Sequence, residues 1–177
     1  MKLSGGPTQD EILAISLAKM GIRNGDTVAD IGCGTGTMAI AAASQAVKVI
    51  AIDRRQEAIT HTKAAIERSG CTNIEVFEGE ASEMIRKIDV LDCAFVGGSG
   101  DIETVIELLS TRVRRTIVIH AVLLETMYRA VETLRRLGIF SDVLHVQVSR
   151  SRNLAGGLML VPINPVYIII GRCDACL

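Results

Sequence analysis

The stretch Val28-Ala29-Asp30-Ile31-Gly32-Cys33-Gly34-Thr35-Gly36 decides how this chain is read. Its first residues are apolar around a single acid, the pattern of a short strand buried on both faces. Three glycines in five residues then break the strand, and the alanine-rich run Thr37–Gln45 resumes as a helix. In an open α/β sheet a ligand binds beyond the carboxyl ends of the strands. Glycine there lets backbone approach a ligand with no Cβ in between. Asp30, Gly32, Cys33, Gly34, Thr35 and Gly36 are therefore the first candidates for ligand contact.

Working outward, the same strand-then-helix unit recurs. Upstream, Thr8 and Glu11 have capping-box spacing ahead of a helix that runs to Met20 and stops at Gly21. Downstream, Val47–Ile52 reads as a strand, Glu57–Ser69 as a helix closed by Gly70, Ile74–Phe77 as a strand and Ala81–Arg86 as a short helix. Leu91–Val96 is the next strand, with Asp101 placed to cap the helix after it. Thr116–His120 follows, then a helix with Leu124, Met127, Val131 and Leu134 on one face, ending at Gly138. Two last strands, Ser141–Ser149 and Val166–Ile170, have no helix between them and should pair antiparallel. The expectation is one α/β domain over residues 1–177. It should hold a Rossmann-like, seven-stranded, mostly parallel sheet with an antiparallel final hairpin and helices on both faces.

The bulk properties narrow the function. The chain has 177 residues, 19 basic against 20 acidic, so it lacks the positive excess of a protein that coats nucleic acid. No apolar run approaches the roughly 18 residues that a membrane helix needs. Five cysteines, Cys33, Cys71, Cys93, Cys173 and Cys176, follow no disulfide spacing, and no secretory leader is visible. A reduced, cytoplasmic setting is expected. Cys173 and Cys176 form a lone C-x-x-C without the further ligands that zinc requires, so no protein-bound metal is expected.

The glycine turn must then be assigned a ligand. A dinucleotide fingerprint is G-x-G-x-x-G, whereas here the third glycine falls one place early, at Gly36, and Thr37 holds the usual position. Asp30 just before the turn suits a ligand with an ammonium and a sulfonium better than a pyrophosphate. This favours S-adenosyl-L-methionine over a dinucleotide or a turn with no ligand. Asp53 ends the second strand, where a carboxylate can accept hydrogen bonds from both ribose hydroxyls. Glu80-Ala81 follows the third strand near the expected adenine, although Glu80 also reads as a surface acid.

Gly6-Pro7-Thr8, Gly32-Cys33-Gly34-Thr35-Gly36, Ile52-Asp53-Arg54, Val96-Gly97-Gly98-Ser99-Gly100, Leu123-Leu124-Glu125-Thr126 and Asn164-Pro165 occur in this order along nearly the whole chain. Together they resemble the decarboxylating precorrin-6B or cobalt-precorrin-6B methyltransferases of cobalamin (corrinoid) biosynthesis. No Asn/Asp-Pro-Pro-Tyr, the mark of methylation at a planar amino group, follows the fourth strand. The resemblance implies methylation of carbon 15 of a tetrapyrrole, loss of carbon dioxide from the ring-C acetate, and a homotetramer. It also implies cofactor contacts at Thr8, Gly32–Gly36, Asp53 and Ala81; Gly97, after the fourth strand, is a further cofactor candidate. Departures are Glu80 where an aspartate is usual, His120 where a small hydroxyl residue is usual, and a short lead before Gly6.

The remaining candidates each carry two readings. Gly98 and Ser99 would meet substrate, or Ser99 merely caps a turn. Arg150 and Arg152, placed in a loop between the last strands, would clamp substrate carboxylates, or lie in solvent or against a subunit. Glu125 would touch substrate or complement a helix dipole. His120, on the ligand-binding edge, is a proton carrier or a satisfied structural histidine. Other substrates (a different small molecule, RNA or a protein) remain open, as does a non-catalytic S-adenosylmethionine-binding subunit.

Overall fold

The computed structural model describes residues 8–98 and 100–173. Its elements are α1 (Asp10–Met20), β1 (Thr27–Ile31), α2 (Thr37–Ala43), β2 (Lys48–Asp53), α3 (Gln56–Ser69), β3 (Ile74–Glu78), α4 (Ala81–Ile85), β4 (Leu91–Val96), α5 (Ile102–Ser110), β5 (Val113–Ala121), α6 (Leu124–Arg136), β6 (Phe140–Val146), β7 (Ser149–Leu154), β8 (Gly157–Pro162) and β9 (Val166–Arg172). Seven strands form one sheet in the order β3-β2-β1-β4-β5-β9-β6. The first five run parallel, while β9 pairs antiparallel with both β5 and β6. The expected fold class is the observed one.

Burial explains the strand sequences. Val28, Ala29 and Ile31 of β1 and Val49, Ala51 and Ile52 of β2 are almost fully buried, as central parallel strands covered on both faces must be. One apolar cluster joins α5 and α6 to one face, and a second packs α1 and α2 on the other. β1 lies between β2 and β4, so the chain leaves it in opposite directions on its two sides. The loops after β1 and β4 therefore part above the sheet, and a crevice opens between them. That crevice faces the glycine turn.

Two local expectations are corrected. The helix α1 begins at Asp10 with Gln9 in the cap position and no side-chain cap, so Thr8 and Glu11 form no capping box. Glu11 instead points outward to the Arg150 guanidinium, at 3.0 and 2.6 Å, because a charged two-pronged donor outcompetes a backbone amide. The segment between the final strands is not a loop. β7 and β8 form a separate two-stranded antiparallel hairpin. Its turn is Ala155-Gly156, with φ of 48° and 83°, the paired positive φ of a tight two-residue hairpin turn. Gly156 thus belongs to the turn, and Gly157 opens β8 opposite Leu154. In the main sheet the partner of β9 ends at Val146, three residues before the predicted limit.

Candidate active site

The turn after β1 is built by close backbone packing. Gly32 has φ of +78°, and a Cβ there would stand 2.8 Å from the carbonyl oxygen of Gly98 in the loop after β4. Any other residue would thrust the two loops apart. Gly36 is held differently: a Cβ would meet Thr62 of α3 at 3.1 Å. Gly36 caps α2 and packs on α3, so its constraint is structural and it lies off the cleft wall.

Between these loops lies a cleft of about 1320 Å³. Of the residues expected to bind the cofactor, Thr8, Asp30, Gly32, Cys33, Gly34, Thr35, Asp53, Glu80, Ala81 and Gly97 line it, and so do Gly98 and His120. Ser99 lies outside the described residues, as do Gly6, Pro7 and Cys176. Glu125 is exposed on the first turn of α6 and does not reach the wall. Arg150 and Arg152 are exposed on β7, outside the cleft. Hairpin pairing carries them away from it, and Arg150 is engaged by Glu11. The wall's basic residues, among those described, are Arg54 and Arg55.

Two of the cleft carboxylates, Asp53 and Asp30, are in opposite electrostatic states. Asp53 accepts from the Gly34 amide at 3.0 Å and from the Arg55 amide, Nε and a terminal guanidinium nitrogen at 3.0, 3.0 and 2.9 Å. Burial pushes its pKa up, but the Arg55 and backbone donors outweigh this and hold it below the ordinary carboxylate range. Asp30 is buried, and neither of its oxygens has a hydrogen-bond partner. Burial raises its pKa to about 7, the nearby Ala39 amide opposes this without reaching bonding geometry, and the Asp53 charge adds to it. An unpaired buried carboxylate is costly and calls for a cation.

Other groups play smaller parts. The Cys33 thiol, 3.5 Å from the Thr62 hydroxyl, is pushed up to about 12 by burial and by Asp30, so it is no nucleophile. Glu80 occupies the cap position of α4 and pairs at 3.5 Å with Arg54, both largely exposed, so solvent screens the pair. His120 Nε2 lies 2.6 Å from the Ser16 hydroxyl, and its ring meets Phe95 edge-on at 4.5 Å. Val122 and Leu123, 66% and 59% exposed, form an apolar lip on the same side. No group of metal-binding side chains occurs among the described residues.

Sequence reasoning missed Arg55 and Ser16. Arg55 follows the Ile52-Asp53-Arg54 motif directly, and a basic residue two places after the acid that ends the second strand was the available signal. Ser16 falls between Ile12 and Met20 on the buried face of α1, where a polar residue needs a partner.

A doubly wound sheet with a glycine turn at its switch point, an acid ending the second strand and an antiparallel last strand inserted between β5 and β6 is the framework of a class I methyltransferase. Comparison with known proteins narrows this. The chain belongs to the precorrin methyltransferase domain family, whose sequence model matches residues 2–171. A Methanosarcina acetivorans protein named "probable cobalt-precorrin-6B C(15)-methyltransferase (decarboxylating)" is 46% identical over 180 residues, covering 99% of this chain and 98% of that one. A solved Methanobacterium thermoautotrophicum structure, described as precorrin 8W decarboxylase, superposes with a TM-score of 0.92 at 34% identity, covering 97% of this chain and 95% of that one. The Geobacter metallireducens precorrin-6y C5,15-methyltransferase gives 0.91 at 27% identity, covering 97% and 94%.

Proposed function

We propose that this chain is an S-adenosyl-L-methionine-dependent methyltransferase that methylates carbon 15 of precorrin-6B or cobalt-precorrin-6B and releases the ring-C acetate as carbon dioxide. The observation that carries the cofactor reading is Asp30: a buried carboxylate with both oxygens unpaired, under a cradle of backbone too close for side chains. A cationic ligand neutralises it, and a pyrophosphate would aggravate it. The substrate reading rests on the family and on the names of its members.

Bound S-adenosylmethionine supplies an electrophilic methyl group on a sulfonium. The chain positions the two reactants so that displacement runs in line, which turns an encounter of two molecules into an effectively unimolecular step. Thr8, Gly32, Cys33, Gly34, Thr35, Ala81 and Gly97 wall the cofactor side. Asp53 receives the ribose, for which the Arg55 side chain must first swing off it. The lip of Val122 and Leu123, with Gly98 opposite, offers apolar surface to the flat macrocycle. Exposed Leu154, Leu158 and Leu160 on the β7–β8 hairpin suit burial between subunits of a homotetramer. Cys33, Cys71 and Cys93 are free thiols, in keeping with the cytoplasm, and no helix among the described residues is long and apolar enough to cross a membrane.

The deciding experiment is incubation with S-adenosylmethionine and precorrin-6B or its cobalt form, followed by mass spectrometry. One added methyl and one lost carbon dioxide are expected. Cofactor binding without turnover would indicate a non-catalytic subunit or another substrate, and sedimentation as a single ~19 kDa species at micromolar concentration would exclude the tetramer.

A further inference from the structure

Ser16 and His120 together fix a tautomer. The Ser16 hydroxyl lies 2.7 Å from the Ile12 carbonyl, which can only accept, so its single proton is committed there. The 2.6 Å contact with His120 Nε2 must then be donated by the imidazole. This leaves Nδ1 with a bare lone pair. No described residue bonds Nδ1, yet the only fully buried side-chain nitrogens or oxygens without a partner among the described residues are those of Asp30. Nδ1 therefore opens into the cleft that His120 lines. The edge-on Phe95 ring holds the imidazole plane.

Resting on the methyltransferase reading above, we propose that His120 Nδ1 is the proton carrier of the reaction. The ring carbon attacks the sulfonium methyl; a carbon–carbon bond forms, the sulfur–carbon bond breaks, and sulfur keeps that electron pair. The carbon now bears a proton it must shed. Nδ1 takes that proton, and the carbon–hydrogen pair returns to the macrocycle. Loss of carbon dioxide from the neighbouring acetate leaves its bonding pair on the methylene, delocalised through the ring, and Nδ1–H returns the proton there to make a methyl group. The proton released by methylation is the one consumed by decarboxylation, so no outside acid, base or oxidant is needed. Burial pushes His120 down to about 4, so the resting imidazole is neutral with its Nδ1 lone pair free. Nδ1 is then a weak acceptor, which takes the proton only because the methylated, cationic ring carbon is a strong acid, and once protonated it is a strong donor.

The test uses purified full-length protein. In H120Q the amide N–H can keep the bond to Ser16, but no group can carry a proton. Affinity for S-adenosylmethionine should stay within about twofold, while turnover of precorrin-6B falls about 100-fold or more. The methylated but still carboxylated tetrapyrrole should accumulate. S16A, the milder change, removes the lock, and nitrogen-15 NMR should show mixed His120 tautomers where the wild type shows only Nε2–H. Wild-type turnover in folded H120Q, or an unprotonated Nε2 in the wild type, overturns the relay and leaves the methyltransferase reading intact. If the wild type leaves precorrin-6B and its cobalt form untouched, the substrate reading falls and the relay falls with it.

Discussion

Asp30 makes cofactor binding depend on pH in a way that can be worked out beforehand. In the ligand-free protein its carboxyl is held at about 7, against roughly 3.9 in an unfolded chain. A cation beside it favours the ionised form, so binding must expel the proton. The apparent dissociation constant scales with one plus the ratio of protonated to ionised Asp30. It should therefore be about 15-fold larger at pH 5.5 than at pH 7.0, with close to one proton released at the lower pH. This window stays below the titration of the cofactor's own amino group, near 7.7–8.0 for an α-amine by rough analogy. Titration calorimetry in buffers of different ionisation enthalpy reads both quantities. Asp30→Asn should bind weakly and lose the pH dependence. Flat affinity from pH 5.5 to 7.0 in folded wild-type protein, or wild-type binding by Asp30→Asn, would refute the reasoning.

The same group leaves a mark on stability. A carboxyl whose pKa is raised on folding contributes stability that is complete below the unfolded value and lost as pH rises through the folded one. The ligand-free protein should thus lose about 3 kcal/mol between pH 4 and pH 7 from Asp30. Cofactor should restore much of it.

Three further outcomes follow from the geometry. Asp53→Ala should weaken S-adenosylmethionine by about 1–3 kcal/mol, whereas Arg55→Ala should bind no more weakly than wild type, because it removes a competitor for the four acceptor positions of Asp53; calorimetry on both separates a covering Arg55 from a holding one. Gly32→Ala should cost about 2 kcal/mol or more in thermal unfolding, from positive φ and the clash with Gly98, while Gly34→Ala, with nothing nearer than 3.8 Å, should cost only the φ strain of about 1 kcal/mol. Arg115→Ala strands Asp26, whose side chain is 7% exposed, and should cost about 3 kcal/mol at pH 7. The Asp26 pKa, raised by burial but lowered further by Arg115 and the Arg23 amide, means that this stabilisation is present above the unfolded carboxyl value and is lost as pH falls through the folded one.

What could be read beforehand had local causes. Strand and helix order followed from runs such as Val49–Ile52 and stops such as Gly21 and Gly70, both left-handed in the structure. Asp30 was legible because its neighbours in sequence are its neighbours in the turn. The errors had long-range causes. Glu11 is paired with a residue 139 positions away, which no local capping rule can foresee. The β7–β8 hairpin was hidden because Ser149–Leu154 is exposed throughout and polar as far as Asn153, and so carries no alternation. His120 was marked by position alone; its tautomer depends on Ser16, 104 residues distant.

The charge pattern of the cleft argues for a single order of events. Asp53 is already saturated by four donors, so it contributes nothing to capture until Arg55 leaves. Asp30 has no donor and is the one strong demand for positive charge among the described cleft residues. Its attraction reaches a cation before any ribose contact can form, because Coulomb energy falls slowly with distance in a poorly solvated cleft while hydrogen bonds require contact. Cation capture at Asp30 should therefore come first, and exchange of Arg55 for the ribose second. Kinetically, Asp30→Asn would then slow association, whereas Asp53→Ala would chiefly hasten dissociation. The reverse pattern in stopped-flow binding would place the ribose contact first and break this order.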